Sequence, residues 1–168
     1  SGCFSLMEAT LLFDPNRESS NAIGVLYPVQ RFLPGKAIKW EDLPICVEGL
    51  TEEVQMQMAG LAKSISSVLY AVSTEERKKI HLACLMAGTF TQLLWEQAQA
   101  LLHSIELDQS LIEPLLKSQL AGFLQQQAFS PKLEKQQFAD GRLAYEQQTM
   151  LEGKEMQEIY QQMLHLIR

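Results

Sequence analysis

The stretch Tyr27-Pro28-Val29-Gln30-Arg31-Phe32 puts a phenol, a carboxamide and a guanidinium directly after the apolar run Ala22-Ile23-Gly24-Val25-Leu26. A strand that empties into a polar turn is a place where ligand sites are built, because the strand fixes the backbone from which the polar groups project. The chain has three histidines, His81, His103 and His165, and no two stand at the i, i+3 or i, i+4 spacing of a helical metal pair. His81 follows the basic turn Arg77-Lys78-Lys79. Imidazole is the side chain that titrates nearest neutrality, so His81 is the candidate general acid; the alternative is a plain helix-face or interface histidine. Thr89, Thr91 and Gln92 interrupt an apolar helical pattern, and Thr89 and Gln92 share a face at i, i+3. They either line a pocket or, for the threonines, bond back to the preceding turn.

Other chemistry is excluded by what is missing. None of the 9 glycines lies two residues from another, so the Gly-x-Gly-x-x-Gly phosphate cradle is missing, and no Walker-type Gly-Lys-Ser/Thr loop is present either. Ser1, Ser5 and Ser130 have no base and orienting group arranged around them. Glu48, Glu96 and Glu113 read as caps or solvated faces, and Arg77-Lys78-Lys79 as a solvated helix face.

The elements that must position these groups fall into two parts. In residues 1–72 the run Ala22–Tyr27, the run Leu43–Glu48 ended by Gly49, and Ser67–Val72 read as strands. Between the last two, Thr51 is a candidate N-cap, and Val54, Met58, Leu61 and Ile65 follow helical spacing. Strand, helix, strand in that order predicts a βαβ unit with parallel pairing. From Ser73 the pattern is helical. Ser73 and Glu76 have capping-box spacing, and no proline occurs before Leu107. A helix of about 30 residues would run about 45 Å. A second helix is expected from Ser110, with Glu113 completing a box, and an irregular stretch from Ala128 to Gly141. Two further helical pieces are broken at Glu152-Gly153, and Met156, Ile159, Tyr160 and Met163 line one side of the last.

Composition bounds the class. The chain has 168 residues, 46% apolar and 20% charged, which is a globular balance able to bury a core. A formal net charge of −6 argues against nucleic acid or an anionic membrane as the partner. No apolar stretch approaches the ~20 residues of a membrane span. Cys3, Cys46 and Cys84 are odd in number and widely spaced, which fits no disulfide framework and points to a reducing, cytoplasmic setting.

Read together, several fragments carry a resemblance: Gly24–Phe32, Leu43–Glu48, Ser73–Arg77, Ile80-His81-Leu82-Ala83, Phe90-Thr91 and Ile159-Tyr160. Their order and spacing resemble an uncharacterised bacterial family, the domain of unknown function 2520 group, in which a Rossmann-like NAD(P)-binding domain precedes a helical one. Its layout is similar to that of pyrroline-5-carboxylate reductase and 6-phosphogluconate dehydrogenase-like enzymes. The resemblance implies an α+β, mostly α chain. Residues 1–72 would be the later part of a Rossmann-like domain, and 73–168 an all-helical domain for substrate and dimerisation. It also implies NAD(P) as cofactor, with the binding loop upstream of Ser1, an unknown small-molecule substrate, and a homodimer. Tyr27, Gln30, Thr89, Gln92 and Ser130 would bind substrate, with His81 catalytic. The sequence departs from the family at three points: Tyr27 stands where a histidine is usual, Thr89-Phe90-Thr91-Gln92 replaces Asn-Phe-Thr-Asn, and Phe129-Ser130-Pro131 with Asp140 stands for Thr-Gly-Pro followed by arginine and aspartate. The expected activity is an NAD(P)-dependent oxidoreductase of unknown substrate. The alternative is a non-catalytic helical binding or assembly module.

Overall fold

The computed structural model describes residues 5–11, 22–126, 132–138 and 141–167, and it divides into two compact units, Ser1–Leu94 and Trp95–Arg168. The fold is α+β and mostly helical, with one small sheet. The division between 72 and 73 expected from sequence falls inside the first unit, because the helix after the sheet groups with the sheet.

In the first unit a single turn, α1 (Leu6–Thr10), is followed by β1 (Gly24–Pro28), β2 (Ile45–Gly49), α2 (Glu52–Lys63), β3 (Leu69–Ala71) and α3 (Thr74–Cys84). The sheet order is β1-β2-β3. β2 and β3 are parallel with α2 as the crossover, as the strand-helix-strand order predicts. β1 joins the other edge of β2 antiparallel, with Tyr27 opposite Cys46 and Val25 opposite Glu48. Thr51 caps α2 by accepting from the Val54 N–H at 3.3 Å. The turn into α2 is tight: a Cβ on Gly49 would stand 2.2 Å from the Gln55 backbone nitrogen, which only glycine avoids.

Side chains alternate across a strand, so β2 serves two faces. Ile45 and Val47, at 0% and 1% exposure, pack with Ala62 of α2 and with Leu26, Met58 and Leu69 to form the core. Cys46 and Glu48 project to the opposite face, where α3 lies. Ser73 caps α3 with the reciprocal box foreseen from sequence, its hydroxyl accepting from the Glu76 N–H while Glu76 accepts from the Ser73 N–H at 2.8 Å.

Two charged groups depart from the sequence reading. Arg77 is fully buried rather than solvated, and Glu48 is buried rather than a cap or solvated acid. Arg77 Nε donates to Glu48 Oε2 at 2.8 Å, and the Thr74 hydroxyl donates to the other carboxylate oxygen. The physical reason is that a carboxylate on the inner face of a central strand cannot stay charged without a matching donor, and α3 supplies two.

After Cys84 the helix continues for one π-helical segment, Leu85–Phe90, and then as α4 (Thr91–His103). The long helical run is therefore present but not uniform. A 3-10 turn, Gln109–Leu111, leads into α5 (Glu113–Leu124). Asp108 caps this turn, accepting from the Ser110 N–H at 2.8 Å, and α5 itself starts from Ile112 without a side-chain cap, so the box expected at Ser110 and Glu113 does not form. Pro114 sits in the first turn of α5, where its missing N–H costs nothing. The stretch expected to be irregular contains α6 (Lys132–Gln137). α7 (Arg142–Thr149) and α8 (Lys154–Ile167) are separated at Gly153, whose φ of 83° favours glycine. The Tyr160 hydroxyl donates to Gln147 Oε1 at 2.7 Å, tying α8 to α7. Among the described residues, no helix is long and apolar enough to cross a membrane.

Candidate functional site

Along one side of α3 and the π segment, Thr74, Arg77, His81, Cys84 and Gly88 recur at steps of three and four, which is a single helical stripe. Arg77 meets Glu48, and His81, one turn later, meets Tyr27. The two contacts keep step. One helical turn of four residues advances about 6 Å. The two-residue step from the Val25–Glu48 pair to the Tyr27–Cys46 pair advances about 6.6 Å along the sheet. The buried ion pair thus sets the height at which His81 reaches the sheet.

The Tyr27 hydroxyl lies 3.1 Å from His81 Nδ1, with the rings edge to face at 6.0 Å between centroids. The phenol donates to Nδ1 when the ring proton is on Nε2, which leaves Nε2–H for a third group. The pair borders a pocket of about 480 Å³. The end of β1 and its turn supply Tyr27, Val29, Gln30 and Arg31, and the helix supplies His81, Cys84, Leu85, Ala87, Gly88 and Thr89. Burial holds the Cys46 thiol above its ordinary range, with the nearby Cys84 adding to this and Arg77 opposing it. Cys46 is therefore packing beneath the site rather than a thiolate nucleophile.

Four residues singled out from sequence, Tyr27, Gln30, His81 and Thr89, line this one pocket. Gln92 reaches it indirectly: its side-chain oxygen accepts from Arg31 Nη1. Ser130 and Asp140 lie outside the described residues. Arg31 and the Glu48–Arg77 pair were not singled out from sequence. Arg31 had a legible signal as the lone cation in the turn after β1, whereas the pair depends on a long-range register. The π segment was foreshadowed only as a polar interruption. Its backbone shift shows in Thr91, whose hydroxyl donates to the Met86 carbonyl five residues back at 2.8 Å. π segments inside α-helices recur at functional sites because the extra residue offsets the wall of the helix. Among the described residues, no group of three or more His, Cys, Asp or Glu is placed to hold a metal ion.

The family described as a domain of unknown function (DUF2520) matches residues 43–131. A solved structure of a Bacteroides fragilis protein, named a "putative NADP oxidoreductase", superposes with a TM-score of 0.70 at 23% identity, covering 86% of this chain. The likeness establishes the fold, and this chain spans 56% of that protein's length. No curated protein matches the chain.

Proposed function

The chain belongs to the DUF2520 family, and from that premise we propose that it forms the substrate and dimerisation part of a cytoplasmic NAD(P)-dependent oxidoreductase. The observation that carries this reading is the Tyr27–His81 pair at the edge of a pocket built by a strand end and a π-helical wall. The name of the Bacteroides protein supports an NADP-linked reaction.

The cofactor's pyrophosphate finds no cradle among the described residues. No two glycines stand two apart, and the amides at the pocket's turn are already used, Val29 N–H on the Pro44 carbonyl at 2.8 Å and Gln30 N–H on the Pro28 carbonyl at 2.9 Å. In this reading the dinucleotide loop belongs to a segment other than the described residues. When bound, the dinucleotide supplies or accepts the hydride. The part of this chain is to orient the substrate and to manage its proton. With the His81 ring protonated on both nitrogens, Nδ1–H donates to the Tyr27 hydroxyl oxygen and the Nε2 proton passes to the substrate heteroatom whose bond order falls, which leaves a neutral ring with its proton on Nδ1; the oxidative direction runs the same transfer in reverse. Gln30 and Thr89 provide further hydrogen bonds, and Ala87 and Gly88 leave room for an apolar portion. The homodimer rests on the second unit, where Leu115, Leu120, Phe123 and Leu124 of α5 are all more than half exposed. A non-catalytic binding module is the second reading, favoured by Tyr27, Thr89 and Gln92 standing where the family carries histidine and asparagines.

Calorimetric titration of NADPH and NADH into the full-length gene product and into residues 1–168 tests the proposal. Binding by the full-length protein and none by the chain alone is expected. Tight binding by the chain alone overturns the assignment of the loop elsewhere, and no binding by the full-length protein overturns the oxidoreductase reading.

A further inference from the structure

The charge of the pocket narrows the class of molecule it takes. Arg31 is the cation of its lining, and no aspartate or glutamate lines it. Arg31 is exposed and enters no ion pair among the described residues. Its Nη1 donates to Gln92 Oε1, which pins the guanidinium against the first turn of α4 while the remaining N–H groups of the planar fork are available. The Gln30 carboxamide is also drawn to this residue, donating to the Arg31 carbonyl at 3.3 Å. A cation held by Gln92 in the lining of a pocket that also holds a tyrosine-histidine pair is a two-point arrangement for a molecule charged at one end and reactive at the other.

We propose that the pocket binds a small carboxylate-bearing molecule, clamped by Arg31, with Gln92 as the positioning residue that holds the clamp. A guanidinium fork matches a carboxylate with two parallel hydrogen bonds. A phosphate dianion fits less well. It would meet one guanidinium with its second charge unanswered, and the Val29 and Gln30 amides are already bonded and form no anion nest. The inference rests on the oxidoreductase reading only in identifying the bound molecule as that enzyme's substrate.

The probe is succinate, titrated at constant pH and ionic strength into the chain while the His81 ring resonances are followed by NMR and assigned with His81→Asn. A saturable shift is expected with succinate, weaker on the order of tenfold with neutral succinamide and with inorganic phosphate. Arg31→Gln, at an exposed position, is expected to lose affinity to a similar degree with its near-UV circular dichroism unchanged, and Gln92→Leu to lose less. Equal binding of succinamide, tighter binding of phosphate, no saturable shift, or undiminished binding by Arg31→Gln each overturns the proposal. The two readings fail separately. Lost carboxylate binding with NADPH binding intact removes this inference alone, and the reverse result removes the oxidoreductase reading alone.

Discussion

β2 and α5 mark the extremes of this molecule. Four consecutive residues of β2, Ile45 to Glu48, are buried, whereas α5 has no buried residue although leucine and phenylalanine recur along it. In the first unit α2 packs on one face of the sheet, and Arg77 of α3 meets Glu48 on the other, so the central strand beneath the pocket is buried by the unit's own elements. In the second unit buried side chains are few, chiefly Ala144 and Leu164 in the α7–α8 pair. Amphipathic helices of that kind gain most of their stability from packing partners rather than from propensity. The contrast teaches that the two units answer to different requirements: one holds a site rigidly, and the other, we propose, is completed by a second copy.

The sharpest way to break the contrast is at the buried ion pair. Arg77→Met leaves Glu48 charged and buried, and should cost about 3–5 kcal/mol in denaturant unfolding. Lys78→Met, at the neighbouring exposed position, should stay within about 0.5 kcal/mol. Glu48→Leu combined with Arg77→Met should recover most of the loss, because the penalty is the orphaned charge and not the missing pair. Ile45→Ala should cost about 2–5 kcal/mol. Leu120→Ser on α5 should cost less than about 0.5 kcal/mol in dilute chain. If Leu120→Ser proves as costly as Ile45→Ala in dilute chain, the second unit has a core of its own and the comparison fails.

Smaller effects sharpen it. Ser73→Ala removes one half of the box that starts α3 and should cost about 1 kcal/mol. Because α3 carries His81, the variant should also broaden the His81 ring resonances. The Glu76 carboxyl is held below its ordinary 4.5 chiefly by the Ser73 backbone N–H and then by the Ser73 hydroxyl. A depressed folded-state value stabilises above the unfolded pKa and is lost as pH falls through the folded value. Stability should therefore decline slightly below pH 4.5, and Glu76→Gln should flatten that decline in unfolding curves taken across acidic pH.

Local chemistry was legible and long-range pairing was not. The three strands were readable as apolar runs, and α2 and α3 from Thr51 and from Ser73 with Glu76, since each signal lies within a few residues of the feature it makes. The parallel β2–β3 pair followed from element order. The antiparallel β1 edge did not, and with it went the stacking that buries Glu48 and Arg77. Their burial depends on a strand and a helix separated by 29 positions in the chain. At residues 108–113 the chain first makes a 3-10 turn capped by Asp108, so Ser110 lies inside that turn and α5 starts later, at Ile112. At the site, Tyr27, Gln30, His81 and Thr89 stood out as polar groups on apolar elements. Arg31 was visible as the cation of the same turn, but its contact with Gln92, 61 positions away in the chain, was not.

Sedimentation equilibrium over a dilution series tests the division between the units most directly. The prediction is a reversible dimer, at twice the 19.0 kDa of the chain, that Leu120→Ser and Phe123→Ser together shift to monomer without loss of helix signal. A 19.0 kDa monomer at every concentration, with its helical signal intact, would contradict the claim that the exposed faces of the second unit are completed by a second copy.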